Sequence, residues 1–148
     1  SQILERPYGD AKESVERFIK AYPGLEQLKK EEIPNNVAKG FFLGVDGRPI
    51  QCDSEHLMLA GYLQEGESTV MKTAMKIWEK ELQKEKIPYW LVNFVHDEWQ
   101  TETVDDDDTV AYVTKVQEES IRLAGEKLGL RCPQQGKATN GYNWKETH

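Results

Sequence analysis

Three adjacent polar residues, His96, Asp97 and Glu98, interrupt a strongly apolar stretch of the sequence. The bulky and β-branched run 89–95 precedes them, and the alternating, Thr-rich run 99–104 follows them. Two such runs around a short acidic turn predict an antiparallel β-hairpin with Asp97 at or beside its tip. The turn contains neither Gly nor Asn, the residues that ordinary tight turns favour.

The side chains at this turn could bind a divalent cation. The neighbouring carboxylates of Asp97 and Glu98 repel each other unless a positive charge lies close to them. Mg²⁺ prefers hard oxygen ligands and is typically bound by one or two carboxylates together with substrate phosphates. A rigid hairpin would fix the ligand position, as phosphoryl transfer demands. The alternative interpretation is a solvated β-turn without a chemical role.

Length and charge limit the function classes. A chain of 148 residues fits one domain or a large part of one. The net charge of −7 argues against an autonomous nucleic-acid-binding domain, which usually presents a basic surface. A nucleic-acid enzyme with an acidic metal site remains possible. The sequence shows neither an apolar run of roughly 20 residues nor a signal peptide, so we expect an intracellular location.

The termini and the cysteines give two further expectations. The sequence opens on Ser1 without an initiator Met, which favours a natural protein that extends further at its N-terminus. Cys52 and Cys132 lie far apart in the sequence and outside any CxxC pair. We therefore expect two reduced thiols and neither a disulfide nor a zinc site.

The first half of the chain predicts a helix and a small hairpin. Asp10 is the expected N-cap of the helix, Pro23-Gly24 should bend or break it, and Pro34 should end it. Asp46-Gly47, between two short apolar runs, predicts the hairpin. The apolar residues of the helix follow a spacing of three and four that predicts one buried stripe. They are Val15, Phe18, Ile19, Tyr22, Leu25 and Leu28.

The second half predicts long helices around the acidic hairpin. One helical stretch begins near Asp53-Ser54 and runs to about Gly66, and another covers residues 67–84; the sequence leaves open whether they are one helix. We expect the strand 89–95 to be largely buried. The acidic run 105–108 is typical of a helix N-terminus, and this helix should end at Gly129.

A basic stripe recurs every four residues in the segment 67–84, at Lys72, Lys76 and Lys80. It could be a solvated helix face or a surface that follows a phosphate backbone. The solvated face is the simpler interpretation.

Residues 94–100 resemble motif C of the family A (DNA polymerase I-like) DNA polymerases, particularly those of bacteriophages. In that family a hairpin carries His-Asp-Glu at its tip. The resemblance implies that Asp97 is the metal-binding carboxylate, that Glu98 is an accessory acid and that His96 positions the primer terminus.

Three other segments are similar to the same family in the same order. Residues 11–25, with Phe18 and Tyr22-Pro23-Gly24, resemble the helix that follows the fingers. Residues 56–64 resemble the helix that contacts the minor groove of the primer–template duplex. There His56 and Gln64 match the outer positions, whereas Ala60 stands where the family usually has Asn. The ending, with Asn143-Trp144 and His148, also follows the family pattern.

The resemblance implies an α+β fold, a partial polymerase palm. An antiparallel hairpin carrying motif C would be backed by long helices, with a second small hairpin beside them. Residues 1–148 would be the C-terminal part of the polymerase domain, with the end of the fingers at 1–35 and the palm at 36–148.

The complete enzyme would be a DNA-directed DNA polymerase that extends a primer 3′ end in DNA replication. It would use two Mg²⁺ ions as cofactors. Its partners would be primer–template DNA, deoxynucleoside triphosphates and the missing N-terminal part, and its location the host cytoplasm. The family's second carboxylate strand (motif A) and its nucleotide-binding helix are not in this sequence, so the fragment alone should be inactive. The alternatives are a non-catalytic interaction module and one half of a naturally split polymerase.

Overall fold

A computed structural model describes residues 8–147, and the side chains from Ala11 onward. The described residues form two compact units. The first contains the residues up to Leu43 together with Arg48–Tyr62, and the second contains Gly44–Gly47 and the residues from Leu63 onward. Helices and two separate two-stranded antiparallel sheets make up these units. The predicted α+β class is therefore confirmed.

The first unit begins with a series of short helices. They are α1 (Tyr8–Ala21), α2 (Pro23–Gln27), a π-helical turn (Leu28–Glu32) and α3 (Ile33–Lys39). Tyr22 is extended, with φ −122° and ψ 92°, so the predicted break at Pro23 is confirmed. The predicted helix end at Pro34 is wrong. Pro34 lies in the first turn of α3, directly after the π-helical turn, in which the Ile33 amide bonds the Leu28 carbonyl five residues earlier. The helix ends instead at Gly40, with φ +80°.

Two expectations for α1 are also wrong. Asp10 lies inside the helix and is therefore not its N-cap. The expected buried stripe is largely exposed, since Val15, Phe18 and Tyr22 have exposed fractions of 52%, 59% and 56%. Val15 and Phe18 keep the helical spacing within α1, but no other described element covers this side of the helix.

The core of the first unit lies beside the first hairpin. Strands β1 (Phe41–Leu43) and β2 (Pro49–Gln51) are antiparallel, and Phe42 lies opposite Ile50. Gly47 has φ +82°, which confirms the predicted Asp-Gly turn. The buried core residues are Ile33, Phe42, Cys52 and Met58. Cys52 and Cys132 are both free thiols, as predicted.

The two predicted helical stretches form a single 30-residue helix, α4 (Glu55–Lys84). Its buried stripe in the second unit is Val70, Met71, Ala74, Trp78 and Leu82. Lys72, Lys76 and Lys80 are exposed, as a solvated face requires.

Glu65 of α4 holds the turn between β1 and β2. Its buried carboxylate accepts hydrogen bonds from the Val45 amide (3.1 Å) and from Thr69 Oγ1 (2.7 Å). A Cβ at Gly44 would lie 2.5 Å from the Glu65 carboxyl carbon. Gly44 is therefore required for this close approach of the turn to α4.

The acidic run 105–108 caps α5 (Asp107–Lys127), as predicted. The Asp106 carboxylate accepts hydrogen bonds from Thr109 N (2.9 Å) and Thr109 Oγ1 (2.7 Å), and these lower the pKa of Asp106. Gly129, with φ +71°, follows the end of the helix.

The short helix α6 (Trp144–Thr147) lies near the end of the chain. Trp144 is 56% exposed. His148, the last residue of the predicted terminal motif, lies outside the described residues.

None of the helices within residues 8–147 is both long enough and apolar enough to cross a membrane.

Candidate functional site

The acidic turn lies where the sequence predicts it. Strands β3 (Tyr89–Val95) and β4 (Glu98–Thr103) are antiparallel. Val95 pairs with Glu98, so His96 and Asp97 form a two-residue turn. The predicted hairpin with Asp97 at its tip is confirmed.

His96 has an uncommon backbone conformation. Its φ of +54° lies in the left-handed region, which His tolerates better than most residues that carry a side chain. A non-glycine residue in this region costs about 1–3 kcal/mol and persists only where the surrounding structure enforces it. The strands that flank the turn must therefore be held firmly in register.

The carboxylates at the tip are accessible. Asp97 and Glu98 are exposed, and Glu98 accepts a hydrogen bond from the Gln100 side-chain amide. None of the hydrogen bonds or ion pairs in the described part of the chain involves Asp97. Its oxygens are hard donors of the kind that Mg²⁺ prefers. However, residues 8–147 contain no group of three or more His, Cys, Asp or Glu side chains that could hold a metal ion. Asp97 could supply one ligand to Mg²⁺, and a complete magnesium site would need further ligands.

The expectation that β3 is largely buried is wrong. Trp90, Val92 and Val95 have exposed fractions of 58%, 58% and 49%. A β-bulge at Val92 interrupts the register between the Leu91–Thr101 and Asn93–Gln100 pairs. Since β3 and β4 form a two-stranded sheet, no further described strand lies beside β3. The apolar sequence identified a surface suited to burial, but no described element covers it.

An aromatic cluster lies on the inward side of the hairpin. Phe94 lies opposite Trp99, and their ring centroids are 6.3 Å apart. The Trp99 ring contacts Trp78 of α4 at 5.9 Å, and Trp78 contacts Tyr89 edge-on at 5.2 Å. Trp78 is completely buried. Aromatic contacts therefore attach both ends of the hairpin to α4.

Side-chain hydrogen bonds attach the base of the hairpin to its neighbours. The amide Nε2 of buried Gln117 in α5 donates to Thr101 Oγ1 at 3.0 Å. Thr103 Oγ1 donates to the Pro88 carbonyl at 2.7 Å. Sequence reasoning missed Gln117 and the inward role of Trp99. The alternation of Trp99, Thr101 and Thr103 opposite an apolar run was the signal that could have found them.

The two predicted DNA-contacting residues lie on α4. His56 and Gln64 are both exposed, with His56 in the first unit and Gln64 in the second. Ala60, between them, is exposed as well. The structure thus gathers His96, Asp97 and Glu98 at one turn and places His56 and Gln64 elsewhere, on a helix.

The antiparallel hairpin with its acidic tip packs on the two long helices α4 and α5. The solved structure described as the "POL domain of Pol1 from M. smegmatis complex with DNA primer-template and dNTP" has the same fold, with a TM-score of 0.70. The match covers 83% of this chain and 24% of that chain at 18% identity, so it bears on the fold alone.

The sequence also matches a curated polymerase. A DNA-directed DNA polymerase of Escherichia phage Phieco32 is 31% identical over 142 residues, which cover 89% of this chain. The chain spans about a fifth of that relative, 22% of its length. No protein-family model matches the sequence. The sequence comparison confirms the predicted resemblance to a segment of a DNA-directed DNA polymerase, and the structural comparison confirms the predicted fold.

Proposed function

We propose that this chain is the C-terminal segment of a family A DNA polymerase of the bacteriophage type. Residues 1–35 would end the fingers, and residues 36–148 would belong to the palm. The observation that carries the proposal is the exposed Asp97 carboxylate on a two-residue hairpin turn, in a chain with the fold of part of a polymerase domain. The complete enzyme would extend a primer 3′ end in DNA replication, in the host cytoplasm.

Each residue at the tip has a role that fits its chemistry and position. Asp97 would hold metal, because its carboxylate is exposed and makes no other described contact. Glu98 would be the accessory acid beside it, and His96 would position the primer terminus. Two Mg²⁺ ions, when bound, would activate the primer 3′ hydroxyl and stabilise the leaving pyrophosphate.

The remainder of the polymerase would complete this site. A two-metal site needs carboxylates on more than one strand. The described residues contain no group of three or more His, Cys, Asp or Glu side chains that could hold a metal ion. The exposed apolar side chains of β3, Trp90 and Val92 among them, would be covered by that remainder. The chain matches 22% of the phage relative. Most of such a polymerase would therefore remain to supply the further carboxylates and to cover β3.

The test is to compare the 148-residue chain alone with the complete polymerase that carries it. The complete polymerase should extend a primer with deoxynucleotides, and the chain alone should neither extend it nor bind Mg²⁺ tightly. An Asp97→Ala variant of each protein identifies activity from a contaminating polymerase. Extension by the chain alone that Asp97→Ala abolishes would show that no second carboxylate strand is needed. An inactive complete protein would contradict the proposed function.

We assign His56 and Gln64 to the minor groove of the primer–template duplex. Residues four apart lie along one side of a helix, so His56, Ala60 and Gln64 follow one another along α4. His56 and Gln64 carry hydrogen-bonding side chains, whereas Ala60 has none. The middle contact of the family pattern would therefore be missing in this protein.

Gln64→Ala should weaken primer–template binding by the complete polymerase about fivefold. It removes a neutral hydrogen bond worth about 1 kcal/mol net. The rate of nucleotide addition at saturating DNA should change little, because Gln64 lies on α4 and not on the turn that carries Asp97. DNA titrations and single-turnover extension separate the two effects. Gln27→Ala, which removes an exposed Gln from α2, is the control. Equal losses in both variants would contradict a specific contact at Gln64.

A further inference from the structure

We propose that Trp99 is a positioning residue for Asp97, an inference that rests on the proposed function of the hairpin. Trp99 follows Asp97 by two residues and packs against both core clusters of the second unit. One cluster consists of Val70, Ala74 and Ala124, and the other of Trp78, Leu82 and Val113. A single side chain thus joins the end of the hairpin to both long helices.

The tip needs such support because the bulge separates it from the rest of the hairpin. Only three residue pairs lie between the bulge at Val92 and the turn: Asn93–Gln100, Phe94–Trp99 and Val95–Glu98. A two-stranded hairpin is marginally stable by itself in water. The positive φ of His96 adds a local cost that these three pairs must offset.

The Phe94–Trp99 pair anchors this short segment. Val95 and Glu98 are exposed, and so is Asn93, whereas Phe94 and Trp99 are both half-buried. Trp99 contacts Phe94 across the sheet and Trp78 on α4. Its ring therefore fixes both the register of the two strands and their position on the helix. Asp97 is fixed through them, since its own side chain makes no described contact.

Mg²⁺ binding depends more on the position of the Asp97 carboxylate than on the stability of the hairpin. Loss of the residues that orient a ligand typically lowers metal affinity 10- to 100-fold while the ligand itself remains. A shorter side chain at position 99 would leave the strands paired but let the tip move. The Asp97 carboxylate would then bind Mg²⁺ more weakly, although its chemistry is unchanged.

The experiment compares variants of the complete polymerase: Trp99→Leu, Trp99→Phe and Tyr89→Leu. Tyr89→Leu is the matched control, because Tyr89 also packs on Trp78 but lies on the other side of the bulge from the turn. Trp99→Leu should raise the Mg²⁺ concentration for half-maximal extension rate about tenfold, with the rate calculated per active site. It should also speed hydrogen exchange of a peptide covering residues 93–100, measured without Mg²⁺. Trp99→Phe, which keeps an aromatic ring, should return both values close to wild type. Tyr89→Leu should change neither.

The outcomes separate positioning from simple stability. If Trp99→Leu lowers only the concentration of active sites and leaves the Mg²⁺ dependence and hydrogen exchange unchanged, the inference is overturned. An equal shift in Tyr89→Leu would overturn it as well. If Trp99→Leu does not fold, Trp99→Met provides the same comparison, because the flexible, unbranched Met side chain adapts to irregular gaps in a core. Asp97→Asn, measured alongside, separates the proposed function from the role of Trp99. Near-normal rates in Asp97→Asn would refute the proposed function. If Asp97→Asn is inactive and Trp99→Leu has an unaltered Mg²⁺ dependence, only the role of Trp99 is refuted.

Discussion

Asp97→Asn should lower the rate of nucleotide addition by the complete polymerase by more than about a hundredfold. Asn keeps the size of Asp and can still form hydrogen bonds, but it lacks the negative charge that would hold the metal ions. Removal of one electrostatic donor from an active site typically costs about a hundredfold or more. Displacement of the metal ions themselves should cost more than that.

The fold should tolerate this substitution. Asp97 is exposed, and none of the hydrogen bonds or ion pairs of the described residues depends on it. Single-turnover extension with saturating DNA and nucleotide measures the chemical step. Glu102→Gln is the matched control, because it removes one negative charge from an exposed position on the same hairpin. If Asp97→Asn retained near-normal chemistry, the central residue assignment would be wrong.

Local sequence signals predicted those parts of the fold that depend on neighbouring residues. The turn at Gly47, the break before Pro23 and the cap at Asp106 each follow from the backbone preference or side-chain chemistry of one or two residues. Pro34 shows the limit of such signals. A proline can follow the end of one helix or lie in the first turn of the next, and both positions satisfy the same backbone constraint.

Burial was predicted less well than secondary structure. The apolar side chains of α1 and β3 have the spacing of elements that face a core, yet Phe18 and Trp90 are exposed by 59% and 58%. Hydrophobic patterning shows which side of an element favours burial, but it does not show which polypeptide segment covers that side. The remainder of the polymerase, under the proposed function, would supply the missing surface.

The acidic tip was predicted, whereas the residues that support it were not. Asp97 could be placed because the apolar runs on both sides of it define a short turn. The inward direction of Phe94 depends on the bulge at Val92, which shifts the alternation of β3 by one residue. Nothing in the sequence marks that bulge. The Phe94–Trp99 contact therefore became apparent only from the strand register.

Trp78→Ala should destabilise the 148-residue chain by about 3–5 kcal/mol, the usual cost of removing a large aromatic residue from a core. Trp78 is completely buried, and its ring contacts Tyr89 and Trp99. Its indole N–H finds no hydrogen-bond acceptor among the described residues. The loss should therefore come from apolar burial and from the cavity that remains, and not from a broken hydrogen bond.

Trp78→Phe should cost much less than Trp78→Ala. Phe keeps an aromatic ring in the cluster and removes the buried N–H, whose missing partner is itself unfavourable by about 1–3 kcal/mol. Trp90→Ala is the matched control: Trp90 is 58% exposed, so we expect a change within about 0.5–1 kcal/mol. Urea unfolding followed by far-ultraviolet circular dichroism gives the free energies of unfolding of all three variants. Equal destabilisation by Trp78→Ala and Trp90→Ala would contradict the burial of Trp78 beneath the hairpin. A loss as large in Trp78→Phe as in Trp78→Ala would instead show that the indole forms a hydrogen bond.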